Sequence, residues 1–140
     1  MTEVQFLEDA EDSLLQIAVI VSRYQGKWVF CKHRQRQTYE VPAGHRERGE
    51  TILEAAKREL YEETGALVYQ LHPVSIYSVT SDEYPGGYGM LFFAEIQELG
   101  PIPPLEIERI ELFDGVPPNL TYPLIQPALI HRVQQQFNLS

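Results

Sequence analysis

Residues Gly44 to Ala66 read GHRERGETILEAAKRELYEETGA, and this stretch carries the clearest structural signal in the 140-residue chain. Thr51, followed three residues later by Glu54, is typical of a capping box, in which each side chain bonds the other residue's backbone at the start of a helix. Good helix formers follow, and Gly65 is a residue type that commonly ends a helix. The stretch therefore predicts a helix over 52–64.

The predicted helix has two faces of different chemistry. With 100° per residue, Leu53, Ala56 and Leu60 fall on one stripe, which we expect to face the core. A second stripe, about a quarter-turn away, carries the acidic residues Glu59, Glu62 and Glu63. Like charges at this spacing repel, and the negative end of the helix dipole disfavours each anion by ~0.3–1 kcal/mol. Two interpretations are open at this point: solvated glutamates near a helix end, or ligands of a hard cation such as Mg²⁺, which would reverse these repulsive terms.

The same 23 residues resemble the Nudix box. That pattern is a Gly, five residues, a Glu, seven residues, Arg-Glu, an aliphatic residue, any residue, Glu-Glu, any residue, a Gly and a closing aliphatic residue. Ala66 is smaller than usual at the closing position, a departure that affects packing and not chemistry. The matching positions are Gly44, Glu50, Arg58, Glu59, Leu60, Glu62, Glu63 and Gly65.

The resemblance implies a metal-dependent enzyme that hydrolyses the diphosphate linkage of a nucleotide-like substrate. The ligands of Mg²⁺, with Mn²⁺ as a substitute, would be Glu59, Glu62 and Glu63. One of these three would also be able to deprotonate the attacking water. Glu50 and Arg58 would orient the glutamates through ion pairs and hydrogen bonds. Ala43, just before the box, would offer its backbone carbonyl to the metal.

Hydrolysis of a phosphoric anhydride accumulates negative charge on phosphoryl oxygens, and metal ions neutralise it while making hydroxide from bound water. A carboxylate within hydrogen-bond reach of that water serves as general base. Many members of the family draw a further acid from the second half of the chain. We expect Glu106 or Glu108 in this role, because the segment Leu105-Glu106-Ile107-Glu108 leads into the last predicted strand. The remaining alternatives are Asp82, Glu83, Glu111 and Asp114.

Hydrophobic patterns on both sides of the helix predict an α/β chain. The run Ile17–Val21 is apolar throughout, as expected of a strand buried on both faces, and the turn at Gly26 predicts a hairpin with the next strand. The order of elements, together with the resemblance, predicts a Nudix-type α/β/α sandwich with a mixed β-sheet between helices, as one domain over 1–140. The predicted strands cover Ser13–Arg23, Trp28–Cys31, Tyr39–Pro42, Val74–Thr80, Tyr88–Ile96 and Ile107–Phe113, and a second helix covers Leu124–Phe137.

The net charge of −9 at pH 7 is the wrong sign for holding nucleic acid through its phosphates, so DNA and RNA are not expected partners. The basic residues are nevertheless concentrated between Lys27 and Arg48. A small polyanion could bind there, and the alternative is a solvated loop and strand edge. The candidate substrate contacts are Arg34, Arg36, Arg46 and Tyr84. The tyrosine lies 18 residues past the box, where dinucleoside polyphosphate hydrolases of the family often carry one.

The location of the protein is predicted from missing targeting signals. No stretch approaches the roughly 20 apolar residues of a membrane helix, and Met1–Gln5 lacks the layout of a signal peptide. We therefore expect a cytoplasmic protein without a membrane partner. Cys31 is the only cysteine, which excludes an internal disulfide and predicts a small core residue. A homodimer is an expectation that comes from the family resemblance alone.

The sequence favours a nucleoside triphosphate or a related compact nucleotide as substrate, because the chain is small and lacks the long motifs of the family's coenzyme A and NADH branches. Val41–Gly44 is similar to the start of the box in several ADP-sugar hydrolases and also in nucleoside triphosphate hydrolases. An ADP-sugar or a dinucleoside polyphosphate is therefore an alternative. A different class of interpretation is a Nudix-fold module that senses a nucleotide without cutting it. Such modules usually lose box carboxylates, and this box is intact.

Overall fold

The computed structural model describes residues 1–82 and 87–140. Within these ranges, eight strands form one sheet and two α-helices pack against it. The strands are β1 (Glu3–Leu7), β2 (Leu15–Tyr24), β3 (Lys27–His33), β4 (Tyr39–Glu40), β5 (Ala43–His45), β6 (Ala66–Thr80), β7 (Tyr88–Leu99) and β8 (Ile107–Phe113). The helices are α1 (Ile52–Thr64) and α2 (Gln126–Phe137), and a short 3-10 helix covers Asp12–Leu14.

Strand β2 lies in the middle of the sheet. It runs parallel to β7, with Ala18 opposite Met90 and Val21 opposite Phe93. Along its other edge it pairs antiparallel with β5 and then, through a tight turn, with β3. Strands β6 and β1 continue the sheet beyond β7, and β8 continues it beyond β3. The predicted mixed sheet and the predicted hairpin between β2 and β3 are both confirmed.

Helix α1 has the predicted bounds because both of its ends are specified locally. The Thr51 side chain accepts a hydrogen bond from the Glu54 N–H at 3.1 Å, and Glu54 Oε1 accepts one from the Thr51 N–H at 2.8 Å. At the other end, Gly65 has a left-handed φ of 76°, and its N–H donates to the carbonyl of Tyr61. A glycine adopts this conformation without steric cost, so the chain turns away from the helix there.

The two helices cover opposite faces of the sheet. Residues of α1 share one core cluster with Ala18 and Ile20 of β2, whereas residues of α2 share a second cluster with Val19 and Val21 of the same strand. Successive side chains of a strand point to opposite faces, so this alternation places one helix on each side. The α/β/α sandwich is therefore confirmed. In the described ranges, neither helix has the length and apolar content needed to cross a membrane.

The predicted core face of α1 is correct at Ala56 and Leu60 but wrong at Leu53, which is 43% exposed. Ile52 and Ala55 hold the first turn against the sheet instead. The side of the helix that packs on the sheet is therefore rotated by about 100° around the helix axis from the direction of Leu53. The predicted core position of Cys31 is confirmed, since the side chain is fully buried.

Strands β1, β5 and the first half of β6 are not predicted by the sequence. Strand β5 is the tripeptide Ala-Gly-His, whose residue types do not favour strands. Strand β1 pairs with the end of β6, where Glu3 lies opposite Thr80. Both short strands form because a neighbouring strand offers its edge, and that information lies far away in the sequence.

Candidate active site

Arg58 on α1 is the centre of a hydrogen-bonded network. Its Nε donates to Glu50 Oε2 at 2.6 Å and its Nη2 donates to Glu50 Oε1 at 2.9 Å, which makes a bidentate pair. Its Nη1 donates to Glu59 Oε1 at 2.7 Å and to Glu62 Oε1 at 3.4 Å. Its Nη2 also donates to the backbone carbonyl of His45 at 3.1 Å. Arg58 thus connects the loop before α1 to two glutamates of the acidic stripe.

The contacts with Arg58 hold Glu50 in its charged form. Its hydrogen bonds from Arg58 are the main reason that the pKa of Glu50 falls from 4.5 to about 2. The backbone N–H of Glu47 donates to Glu50 Oε1 at 2.8 Å and lowers this pKa further. In return, the hydrogen bond to Glu50 is the largest cause of a raised pKa of Arg58. The pair is a fixed clamp between the loop and the helix.

The backbone of β5 passes directly against the carboxylate of Glu59. A Cβ atom on Gly44 would overlap the carboxyl group of Glu59, so the backbone approaches this closely only because residue 44 is a glycine. Glu59 is buried, and burial is the largest cause of the rise in its pKa, while the hydrogen bond from Arg58 acts in the opposite direction. The first residue of the box therefore makes room for a buried acid.

Glu63 is held from the other end of β5. Its Oε1 accepts a hydrogen bond from the backbone N–H of Ala43 at 2.9 Å. The pKa of Glu63 is raised from 4.5 to about 8; burial is the largest cause, this hydrogen bond opposes it, and the charges of Glu59, Glu40 and Glu106 add to the rise. Ala43 thus lies beside the carboxylates, as expected. The contact is made by its N–H, and the metal contact expected of its carbonyl stays a prediction.

A sequence model described as the NUDIX domain matches residues 13–124, which are most of the chain and include the whole stretch from Gly44 to Ala66. The chain belongs to the Nudix family. The family and the fold class expected from the sequence are thereby confirmed. The contacts of Arg58 with Glu50, Glu59 and Glu62 are contacts within a Nudix box.

Relatives of this Nudix chain include two curated bacterial proteins. The putative 8-oxo-dGTP diphosphatase YtkD of Bacillus subtilis strain 168 is 36% identical over 103 residues, which are 73% of this chain and 64% of YtkD. An RNA pyrophosphohydrolase of Psychrobacter cryohalolentis is 34% identical over 76 residues, which are 53% of this chain and 41% of that protein. The chain therefore spans less than two thirds of the length of these relatives.

A solved structure of a variant of the Bacillus subtilis pyrophosphohydrolase BsRppH has the same fold. It matches with a TM-score of 0.78 at 27% identity, and the match covers 98% of this chain and 93% of that one. The similarity extends well beyond the residues of the box, because nearly the whole chain is included. The Nudix fold is thus shared from β1 to α2.

The donor chemistry of this Nudix box fits Mg²⁺, a cation that prefers oxygen ligands and commonly binds a few carboxylates together with waters and substrate phosphates. In the part of the chain that the structure describes, no three His, Cys, Asp or Glu side chains are arranged as a finished metal site. Arg58 instead donates hydrogen bonds to Glu59 and Glu62. Closely spaced acids with raised pKa values, as at Glu59 and Glu63, would be stabilised by an added positive charge.

The two acids favoured in the second half of the chain are placed differently. The charge of Glu106 contributes to the raised pKa of both Glu59 and Glu63. Glu108 instead pairs with Lys32 Nζ at 3.2 Å, and this contact is the main cause of its lowered pKa. The electrostatic effect of Glu106 on two acids of the stripe, and the ion pair that engages Glu108, favour Glu106 as the additional acid, and its role stays a prediction.

The other acids considered either have partners elsewhere or lie outside the described residues. Asp82 pairs with the amino-terminal group, Glu111 with an arginine of its own strand, and Asp114 with Lys27. Two residues of the sequence-based predictions lie outside the described residues: Glu83 and Tyr84.

The three arginines expected to contact substrate each have a partner within the protein. Arg36 donates to Glu40 Oε1 at 2.7 Å, and Arg46 donates to Asp12 Oδ2 at 2.6 Å. Arg34 donates from Nε to a backbone carbonyl at 2.9 Å. These contacts do not bring the three guanidinium groups together as one phosphate site. Their role in substrate binding stays a prediction.

Two residues near the carboxylates are not identified by the sequence, His33 and Glu40. His33 Nε2 lies 3.1 Å from Glu106 Oε2, and Glu40 is a buried acid whose charge raises the pKa of Glu63. A histidine next to two basic residues at the end of a strand gives no indication of an acid 73 positions later. The sheet alone brings them together.

Proposed function

We propose that this chain is a divalent-metal-dependent pyrophosphohydrolase that cleaves a phosphoric anhydride bond in a nucleoside triphosphate or a related compact nucleotide. One observation carries the proposal: Arg58 joins Glu50 to the acidic stripe of α1 through hydrogen bonds to Glu59 and Glu62. Such an arrangement gathers negative charge on one helix face and fixes its orientation. It is suited to hold a divalent cation next to a phosphate-rich substrate.

Each residue has a separate part in this chemistry. Glu59, Glu62 and Glu63 would hold Mg²⁺ or Mn²⁺ through carboxylate oxygens. A bound divalent ion supplies neutralisation of charge on the phosphoryl oxygens and lowers the pKa of a bound water. Arg58 and Glu50 orient the glutamates, because a bidentate ion pair fixes the plane of the guanidinium group. One acid of the site accepts the proton of the attacking water.

The names of the relatives support the substrate class. YtkD is named as a putative 8-oxo-dGTP diphosphatase, and the Psychrobacter protein is named as an RNA pyrophosphohydrolase. Both names combine a nucleotide-type substrate with a diphosphatase or pyrophosphohydrolase activity. We assign a free nucleotide because a net charge of −9 opposes the binding of a long phosphate backbone.

A panel of substrates tests the proposal. We expect release of phosphate or pyrophosphate from nucleoside triphosphates, including 8-oxo-dGTP, in Mg²⁺ or Mn²⁺ and none in a chelator. If ADP-ribose, diadenosine tetraphosphate or 5′-triphosphorylated RNA is hydrolysed faster than nucleoside triphosphates, that compound class is the substrate instead. Binding of ADP-ribose that is indifferent to metal, with no turnover of any compound, would identify a nucleotide sensor instead.

Two variants test the site itself. Glu62→Gln and Glu63→Gln each replace one proposed metal-binding carboxylate by an amide with little change of shape, and we expect kcat to fall by about 10²–10⁴-fold with the fold retained by circular dichroism. The matched control is Glu98→Gln, an exposed glutamate on β7, which should hydrolyse substrate at the wild-type rate. If Glu62→Gln and Glu63→Gln are as fast as this control, the metal site is assigned to the wrong residues.

A further inference from the structure

The end of β3 holds the segment before β8 through three contacts. The backbone N–H of Arg34 donates to the carbonyl of Glu106 at 3.0 Å, and Arg34 Nε donates to the carbonyl of Leu105 at 2.9 Å. The third contact joins His33 Nε2 to Glu106 Oε2 at 3.1 Å. The first two contacts fix the backbone of the segment. The third one acts on the side chain of Glu106.

The pairing of β3 with β8 changes register at this point. Lys32 lies opposite Arg109, whereas the next residue, His33, lies opposite Ile107. Strand β8 therefore has one additional residue, Glu108, between the two pairs. Such a bulge redirects neighbouring side chains. The His33 ring contacts Glu106, the residue just before Ile107, next to this bulge.

The two partners differ in how firmly they are held. The His33 side chain is only 20% exposed, whereas the Glu106 side chain is 76% exposed. An exposed glutamate retains much of its rotamer freedom unless a partner restrains it. His33 points to the same face of β3 as Cys31, whose Sγ donates to the backbone carbonyl of Glu63 at 3.4 Å, so the contact with Glu106 lies on the side of the sheet that carries α1. The charge of Glu106 also adds to the raised pKa of Glu59 and Glu63. The position of the Glu106 carboxylate relative to these two acids therefore depends on the contact with His33.

We propose that His33 is a positioning residue whose imidazole holds the Glu106 carboxylate beside the acidic stripe of α1, so that Glu106 is the acid contributed by the second half of the chain. This inference rests on the function proposed above and deepens it. An ionised carboxylate only accepts hydrogen bonds, so the ring carries its hydrogen on Nε2 in this contact. His33 acts through Glu106 and requires no contact with substrate.

Kinetics of four variants test this role on the substrate that the wild type hydrolyses fastest. We expect His33→Ala to lower kcat about 10-fold with little change in KM, as is typical when the partner of a functional side chain is removed. His33→Gln keeps an N–H donor on a side chain of similar reach, so it should recover most of this loss. The double variant His33→Ala/Glu106→Gln should be no slower than Glu106→Gln alone, because residues that act as one unit are not additive.

A second readout does not depend on turnover. Calorimetric titration of Mn²⁺ into substrate-free protein should show affinity about 2- to 10-fold weaker in both His33→Ala and Glu106→Gln, because Glu106→Gln removes a negative charge near the site and His33→Ala releases that charge from its position. His33→Gln should bind Mn²⁺ like the wild type. The melting temperature of His33→Ala should stay within about 2 °C of the wild type, since a contact to a largely exposed carboxylate contributes little to stability.

The matched control is His131→Ala, an exposed histidine on α2, which should keep wild-type kcat and Mn²⁺ affinity. Three results would overturn the inference: wild-type kcat in His33→Ala, effects that multiply in the double variant, or tighter Mn²⁺ binding by His33→Ala. The last result would mean that His33 weakens metal binding instead of supporting it. Failure of the proposed function is distinguishable, because the wild type itself would then show no metal-dependent hydrolysis.

Discussion

The two helices cover opposite faces of one sheet, yet they bury polar groups of different kinds. Helix α2 buries one polar side chain, the neutral amide of Gln126, whose Oε1 accepts a hydrogen bond from the backbone N–H of Val41 at 3.0 Å. Helix α1 buries the carboxylate of Glu59. A buried neutral group needs only a hydrogen bond, whereas a buried charge also needs a counter-charge.

The counter-charge in α1 comes from Arg58, and burial still raises the pKa of Glu59. Helix α2 needs no such compensation, because its remaining buried residues are the apolar Leu129, Ile130 and Val133. Sequences depart from local rules chiefly where function compensates. The contrast therefore separates a helix that carries chemistry from a helix that supports the sheet.

The strongest test of this contrast compares one arginine from each helix. Arg58→Ala leaves Glu50 and Glu59 without their guanidinium partner, so we expect the free energy of unfolding to fall by about 1–3 kcal/mol and kcat by about 10–100-fold. Arg132 of α2 lies over the ring of Phe6 at 4.8 Å. Arg132→Ala should therefore cost only about 0.5–1 kcal/mol. Urea unfolding and steady-state kinetics measure both effects.

The values of kcat distinguish the two helices more sharply than the free energies of unfolding do. Arg132→Ala should leave kcat unchanged, because its side chain lies on the helix that covers the other face of the sheet. Arg58→Lys keeps the charge but loses the bidentate fork, so it should recover stability better than activity. Equal losses of kcat in Arg58→Ala and Arg132→Ala would remove the distinction between the two helices.

Much of α1 could be predicted because its signals lie within 23 consecutive residues. The capping box at Thr51 and the left-handed Gly65 fix its ends, and the spacing of the three glutamates fixes their common face. The exposure of Leu53 could not be predicted in the same way. It depends on which side of the helix meets the sheet, and that is decided by packing against distant strands.

The rest of the site could not be predicted because it depends on contacts across the sheet. His33 and Glu106 meet only after β3 pairs with β8. The partners of the basic residues between Lys27 and Arg48 could not be predicted either, because each charged side chain pairs with whichever acid the fold brings near it. Arg36 pairs with Glu40 four residues away, whereas Arg46 pairs with Asp12 from a distant part of the chain.

A test of intermediate size uses the dependence of stability on pH. The folded pKa of Glu50 is about 2, against an ordinary value of 4.5. Between these values the unfolded chain binds a proton that the folded chain does not, so the contribution of Glu50 is complete above pH 4.5 and is lost as the pH falls towards 2. We expect the stability difference between wild type and Glu50→Gln to shrink from about pH 6 to about pH 3 in urea unfolding.

The matched comparison for Glu50→Gln is Glu98→Gln, which removes an exposed glutamate of β7. The difference between wild type and Glu98→Gln should stay small and nearly constant over the same range, because exposed carboxylates contribute little to stability. A difference for Glu50→Gln that grows as the pH falls would have the wrong sign. A difference that stays constant over this range would show that the clamp with Arg58 is not formed in solution.

The smallest expected effect concerns the start of α1, where the Thr51 side chain caps the helix. Helix α2 has no such cap, because the residue before it is Ile125. Thr51→Ala removes the acceptor of the Glu54 N–H, so we expect a loss of about 1 kcal/mol in the free energy of unfolding. Thr51→Ser keeps the hydroxyl and should match the wild type. The acidic stripe lies two turns further along α1, so kcat should be unchanged in both variants. A large loss of kcat in Thr51→Ala without a loss of stability would mean that the cap positions the carboxylates, and the helix would then be a less rigid support than its contacts with the sheet indicate.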